Sequence, residues 1–239
     1  MRALRLLKLL LVLAFLALAG LLLWGYARNN PEDMPWGKLD LTRPVGAFTG
    51  RKLAALEGAQ CRALMRRAGI RFDALAPRNP GEQCGYDDAV RFKGGAVTLA
   101  YRPAGLATSC PVAAALALWE WHVVQPAALR HFGTEVAAVE HYGSYNCRRI
   151  YGRAKGQWSE HSTANAIDIA GFRLADGRRL SVLKDWKADG PKARFLRDVR
   201  DGACGLFATV LSPEYNAAHR DHLHLDQAER GAMGWRACR

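Results

Sequence analysis

The sequence predicts an α+β fold, a small antiparallel sheet packed with helices, in one domain behind an N-terminal membrane helix. Three observations point there. Helical and strand patterns are mixed without a regular strand–helix–strand alternation. The 239 residues contain no internal repeat and no second domain boundary. Apolar residues are 50% and charged residues 23%, which excludes wholesale disorder and collagen-like repeats.

Arg2, Arg5 and Lys8 precede an apolar run with no further charge until Arg28. Nineteen uncharged residues at 1.5 Å each span about 28 Å, the thickness of a bilayer's hydrocarbon core. More cations precede the run than follow it, so the positive-inside rule leaves the N-terminus in the cytoplasm. Trp24 and Tyr26 stand where an interfacial aromatic belt belongs. Ala17-Leu18-Ala19 fits a signal-peptidase site, so a cleaved signal peptide is the rival reading, but Gly20 to Trp24 continue the apolar stretch beyond it. Residues 1–28 are therefore read as the anchor, or signal peptide, of an inner (cytoplasmic) membrane protein whose body lies outside the cytoplasm. Residues 29–46, rich in proline and without periodicity, read as a linker. Residues 47–239 form the domain.

Within that domain, 51–69 has helical spacing ended by Gly69, and 96–101 reads as a strand stopped by Pro103. Pro111 opens a mostly buried helix through Val124, with 126–132 as its kinked continuation. Strands follow at 136–142 and 166–170, and Asp176-Gly177 is a hairpin signal before 180–183. Residues 193–211 have helical spacing, and 221–226 is the last strand.

All six cysteines lie beyond the apolar run, and none forms a C-x-x-C pair. In an exported domain this reads as up to three disulfides, with fifteen connectivities open. Cys61 with Cys84 closes the shortest sequential loop. The chain carries a net charge of +12, which is +9 once the three leading cations are set aside. That balance suits anionic lipid, nucleic acid or an anionic cell-wall polymer. No aromatic–basic stripe or reading motif supports nucleic acid, and none is expected as a partner.

The chemistry concentrates in two segments. His222-Leu223-His224 on a strand puts both imidazoles on one face, with Leu223 and Leu225 on the other and Asp226 on the imidazole side. Asp168, between Ile167 and Ile169, needs a charged partner or a metal to be buried. With His161 seven residues before it, the set supplies a three-ligand metal site with an open position. The long-helix residues Trp119, Trp121 and His122 read as core and its edge, His131 as a helix-end cation and His141 as a strand-end histidine. His219 reads as a candidate orienter of a ligand or an exposed loop residue.

Gly143-Ser144-Tyr145-Asn146-Cys147-Arg148, Ser159-Glu160-His161 through Ile169, and Pro213-Glu214-Tyr215-Asn216 through Asp226 resemble the bacterial extensin-like protein C-terminal family, over about residues 35–238. That family is similar in turn to the zinc D-Ala-D-Ala peptidases and the Hedgehog signalling domain, with their S-x-H-x-x-G-x-A-x-D pattern. Here Ser159, His161, Ala166 and Asp168 match it, and Ala164 replaces its glycine. The resemblance implies His161, Asp168 and His224 as zinc ligands and cell-wall (peptidoglycan) peptides as partners. Two residues compete for the general base: Asp221, where the D-Ala-D-Ala branch has a glutamate, and His222, as other zinc peptidases would use it. His222 is favoured, because an aspartate is one methylene shorter than a glutamate. Arg148 is the candidate for a substrate carboxylate or oxyanion, with Arg149 as its alternative. The expected function is a membrane-anchored, extracytoplasmic zinc-dependent peptidase. The alternative is a module that retains metal and binds cell wall or polyanion without catalysis.

Overall fold

The structure, a computed structural model, describes residues 2–81, 83–231 and 236–239. Helix α1 (Arg2–Asn29) leads, apolar over most of its length and with no buried residue. Its 28 residues would extend about 42 Å, and by length and composition it could cross a membrane. The following segment is not the free linker that its composition suggests. Leu41 is 1% exposed within the main core, and Arg43 pairs with Glu32 at 2.8 Å. Lack of periodicity here reflects irregular backbone, not lack of packing.

The helix expected over 51–69 is two helices, α2 (Thr49–Ala54) and α3 (Gly58–Arg67), and Gly69 at φ +75° closes the pair. Strands β1 (Ile70–Ala74), β2 (Arg78–Gly81), β3 (Cys84–Tyr86) and β4 (Val90–Gly95) make two small antiparallel pairs, β1–β4 and β2–β3. Strand β5 (Ala100–Arg102) is shorter than the run 96–101 predicts. The Thr98 and Leu99 amides bond the buried Glu120 carboxylate at 2.7 and 3.3 Å instead of a neighbouring strand.

Helix α4 (Cys110–Trp119) starts at a Ser109 cap with Pro111 in its first turn, and every residue in it is buried. It passes through a π-helical turn at Glu120–Val124 into α5 (Gln125–Phe132). The widened turn absorbs Pro126, which would otherwise collide with the preceding turn. Then come β6 (Val136–Gly143), β7 (Ala166–Leu174), β8 (Arg179–Ser181), α6 (Val182–Asp185) and α7 (Pro191–Ala203). The helix expected to reach residue 211 stops at Ala203, and Thr209–Leu211 is strand β9. Strands β10 (Leu223–Asp226) and β11 (Ala237–Cys238) finish the chain.

The main sheet runs β11-β9-β10-β7-β6-β5, with β8 also on β7. The pairs β9–β10, β10–β7, β7–β6 and β7–β8 are antiparallel, while β11–β9 and β5–β6 are parallel. One face packs on α4, α5 and α7. Phe172 contributes from β7, with its ring 5.8 Å from Trp119 and 5.1 Å from Phe195. The Trp119 indole N–H donates to Val199 O of α7 at 2.8 Å, so the largest core side chain leaves no unpaired donor.

All six cysteines are bridged, as Cys61–Cys110, Cys84–Cys147 and Cys204–Cys238. The shortest-loop pairing, Cys61 with Cys84, is thereby corrected. Cys61 on α3 faces the start of α4, whereas Cys84 in the β2–β3 hairpin faces the segment after β6. Sequence distance did not predict which elements pack together.

Candidate metal centre and cleft

Alternation along β7 buries Ile167 and Ile169 completely in the core and turns Asp168 to the opposite face. Strand β10 does the same with Leu223 and Leu225, and its antiparallel register sets His224 directly across from Asp168. His224 Nδ1 lies 2.9 Å from Asp168 Oδ1. His161 enters from a 3-10 turn, Glu160–Thr163, that returns to β7 through Ala164. Ala164 is fully buried and left-handed (φ +56°), a conformation that favours glycine. Its conformation turns the chain so that His161 Nε2 stands 3.2 Å from both Asp168 Oδ1 and His224 Nδ1.

The outer nitrogens of these two rings are committed. His161 Nδ1 is 2.6 Å from Ser144 O, and His224 Nε2 is 3.0 Å from Asp226 Oδ2. A carbonyl and an ionised carboxylate only accept, so both outer nitrogens carry the proton. Two bare ring nitrogens and a carboxylate oxygen then face one another within 4.8 Å. Such a triad repels itself unless a positive charge sits among it, either a proton or a metal ion. In the protein without metal the proton takes that role. Burial opposes charge at both groups. The bonds and charges of His161 and His224 nevertheless hold the Asp168 carboxyl well below the usual carboxylate range, and Asp168 and Asp226 raise the His224 imidazole to about 9. Two imidazoles and a carboxylate with fixed ring orientation could hold zinc, whose usual donors these are.

His222 precedes β10 rather than lying in it, yet its ring turns the same way, with Nε2 3.5 Å from Asp168 Oδ1. Its Nδ1 is 2.9 Å from Asp221 Oδ1. The two competitors for the general base are thus a pair, in which the carboxylate fixes one nitrogen and the other faces the triad. Tyr142, at the end of β6, stands with its ring edge-on to His222 at 5.9 Å.

His219 is buried beside these rings, 5.2 Å from His222 and 5.9 Å from His224. Its Nδ1 meets Asn216 Oδ1 at 2.8 Å. Burial, then the neighbouring imidazole charges, lower it to about 4. His141 lies outside the cluster and bonds Pro103 O at 3.0 Å, and His131 pairs with Asp198 at 2.8 Å.

A cleft of about 750 Å³ opens over His161, Asp168 and His224, and Arg148 lines it. The alternative, Arg149, stacks on Trp158 at 4.3 Å instead. Tyr151, which lines the cleft, accepts a hydrogen bond from Asn216 Nδ2 at 3.0 Å, and Arg230 adds a second cation. The sequence reading singled out neither Ser144 nor Arg230. Ser144 acts through its main-chain carbonyl, which leaves no trace in residue identity, and Arg230 stands outside every recognisable motif.

Comparison with curated proteins finds no match, and comparison with solved structures finds none either. A family model, extensin-like protein C-terminus, matches residues 59–239 and so covers all the residues of the triad, His222 and the cleft's arginines. On that match, the chain belongs to the extensin-like protein C-terminus family.

Proposed function

We propose that this protein is a zinc-dependent peptidase of the cell envelope, anchored by α1, that hydrolyses peptides of the cell wall. The observation that carries the reading is the convergence of His161 Nε2, Asp168 Oδ1 and His224 Nδ1, with both outer ring nitrogens already bonded to acceptors. Zinc held by these three atoms would supply Lewis-acid chemistry, polarising a peptide carbonyl and acidifying water. His222 Nε2 receives the proton of the attacking water, and Asp221 steadies the resulting imidazolium. The same nitrogen returns that proton to the departing amine. Arg148 faces the negative charge that develops on the carbonyl oxygen or, with Arg230, a carboxylate of the substrate. Three disulfides and the leading apolar helix support a location outside the cytoplasm. The basic balance of the chain suits an anionic polymer.

The experiment is metal analysis beside turnover on a muropeptide mixture, for the wild type and for His224→Ala, Asp168→Ala and His222→Ala. The reading requires about one zinc per chain and amide cleavage in the wild type. It also requires loss of both with either ligand variant, and loss of turnover alone with His222→Ala. Zinc without cleavage of any cell-wall peptide would make the protein a metal-retaining binding module. A wild type that takes up no zinc would end the reading.

A further inference from the structure

The residues after α1 form a built collar. Tyr26, in the last turns of the helix, donates its hydroxyl to Asp33 Oδ2 at 2.6 Å, and Asp33 Oδ1 accepts the Ala47 amide at 2.9 Å. Arg43 reaches back to Asn29 O at 2.7 Å while pairing with Glu32, and Lys52 of α2 donates to Pro31 O at 2.9 Å. Leu41 plugs the segment into the main core. The fit is tight: a Cβ on Gly37 would collide with Pro31 O, and one on Gly46 would collide with Asp33 Oδ1. The helix end and the domain are thus joined by side-chain bonds on both sides of the segment.

The same collar displays one large apolar side chain. Gly37 N bonds Met34 O at 3.1 Å, closing a turn whose tip holds Trp36, 76% exposed. Gly37 rests on Pro31, two residues past the end of α1, so Trp36 lies on the order of 10 Å from the helix end. Trp24 and Tyr26 are exposed on that end of the helix, where Arg28 stacks on Trp24 at 5.3 Å, and Lys38 follows the turn. Aromatic rings with nearby cations, at the level where an apolar helix leaves the hydrocarbon, are the composition that lipid headgroups receive.

We propose that residues 30–48 are a membrane-docking collar, which fixes the domain to the end of α1 and seats Trp36 among the lipid headgroups. The proposal rests on reading α1 as a retained anchor. The domain then does not swing on a tether but works at one height above the bilayer, on polymer close to the membrane.

The test uses the full chain in nanodiscs of zwitterionic and anionic lipid. Because all six cysteines are bridged, Trp36→Cys and, as a control on an exposed loop, Lys155→Cys each supply one thiol for a spin label. The expected result is a label at 36 that is several-fold less accessible to a water-soluble nickel chelate than the label at 155. Accessibility equal to that at 155 would overturn the proposal while leaving the anchor reading intact. Alkaline extraction of native membranes separates the two readings, because a chain released into the supernatant refutes the anchor and the collar together. A second measurement keeps the native side chain elsewhere in the protein. Lipids brominated near the headgroup should quench less of the tryptophan emission in Trp36→Phe than in the wild type, and equal quenching would overturn the proposal.

Discussion

Asp226→Asn probes the bond that orients a proposed zinc ligand. The wild-type carboxylate serves two donors at once: Oδ2 takes His224 Nε2–H at 3.0 Å, and Oδ1 takes the Ala228 amide at 3.0 Å. Asparagine has one oxygen for those two donors, at a position only 4% exposed. If its oxygen faces Ala228, its NH2 meets His224 Nε2–H, donor against donor. The ring then either loses the bond or moves its proton to Nδ1, the atom that faces the triad. If its oxygen faces His224, the Ala228 amide is stranded and the charge that supported the ring is still gone. Both branches weaken metal binding, by about ten- to a hundredfold, or about 1.4–2.8 kcal/mol. Unless the ring moves its proton, whose Nδ1–H would meet Asp168 Oδ1, each branch also leaves a poorly satisfied buried donor, worth about 1–3 kcal/mol of stability to the metal-free protein. Competition against a chelator of known zinc affinity reads the first quantity, and denaturant unfolding in chelator reads the second. Zinc affinity within threefold of wild type would refute the claim that Asp226 holds His224 in its ligating form.

His222→Ala should keep zinc and lower turnover by on the order of a hundredfold, and Asp221→Asn should lower it by roughly tenfold, read by muropeptide cleavage with metal content measured in parallel. Glu120 has a carboxyl raised by burial, with Thr98 and Leu99 bonding only one oxygen, so the folded state holds its proton more tightly than the unfolded chain. Stability therefore falls as pH rises from about 4.5 through the raised value. Thermal melts should show that Glu120→Gln removes this dependence and is no less stable than wild type at pH 7. The double variant Cys84→Ser with Cys147→Ser opens a bridge spanning 63 residues. It should cost about 2–4 kcal/mol in denaturant unfolding and raise the KM for peptide more than it lowers kcat, because that bridge holds the segment bearing Arg148.

Much of this site was legible because it depends on short-range alternation. Ile167-Asp168-Ile169 and Leu223-His224-Leu225 each declare one apolar and one polar face, and only the register remained to be found. Register depends on which strands meet, and nothing local states that β10 pairs with β7. The carbonyl of Ser144 and the cation at Arg230 were harder for the same reason, since packing of distant segments brings them to the cleft. Thr209–Leu211 was misassigned because its apolar spacing continues that of α7, and only its pairing between β10 and β11 makes it a strand. The segment after α1 was misread because proline and polar residues suggested solvation. Leu41 and Arg43 carry its packing, and single residues give no periodic signal. The π-helical turn left a trace in Pro126, which announced a kink without saying how the backbone would resolve it.

The position of β7 and β10 within the main sheet has a consequence for motion. Both strands have neighbours on each side, so their amides lie deep in the ladder, where opening requires nearly global unfolding. Hydrogen exchange at Ile167–Ile169 and Leu223–Leu225 should therefore be among the slowest in the chain, whereas 148–158, with short turns and exposed residues, should exchange early. Asp168 and His224 thus sit on the most persistent part of the molecule, and Arg148 on one of the least. Whatever grips the triad meets a rigid seat, while whatever enters the cleft meets a wall that can yield.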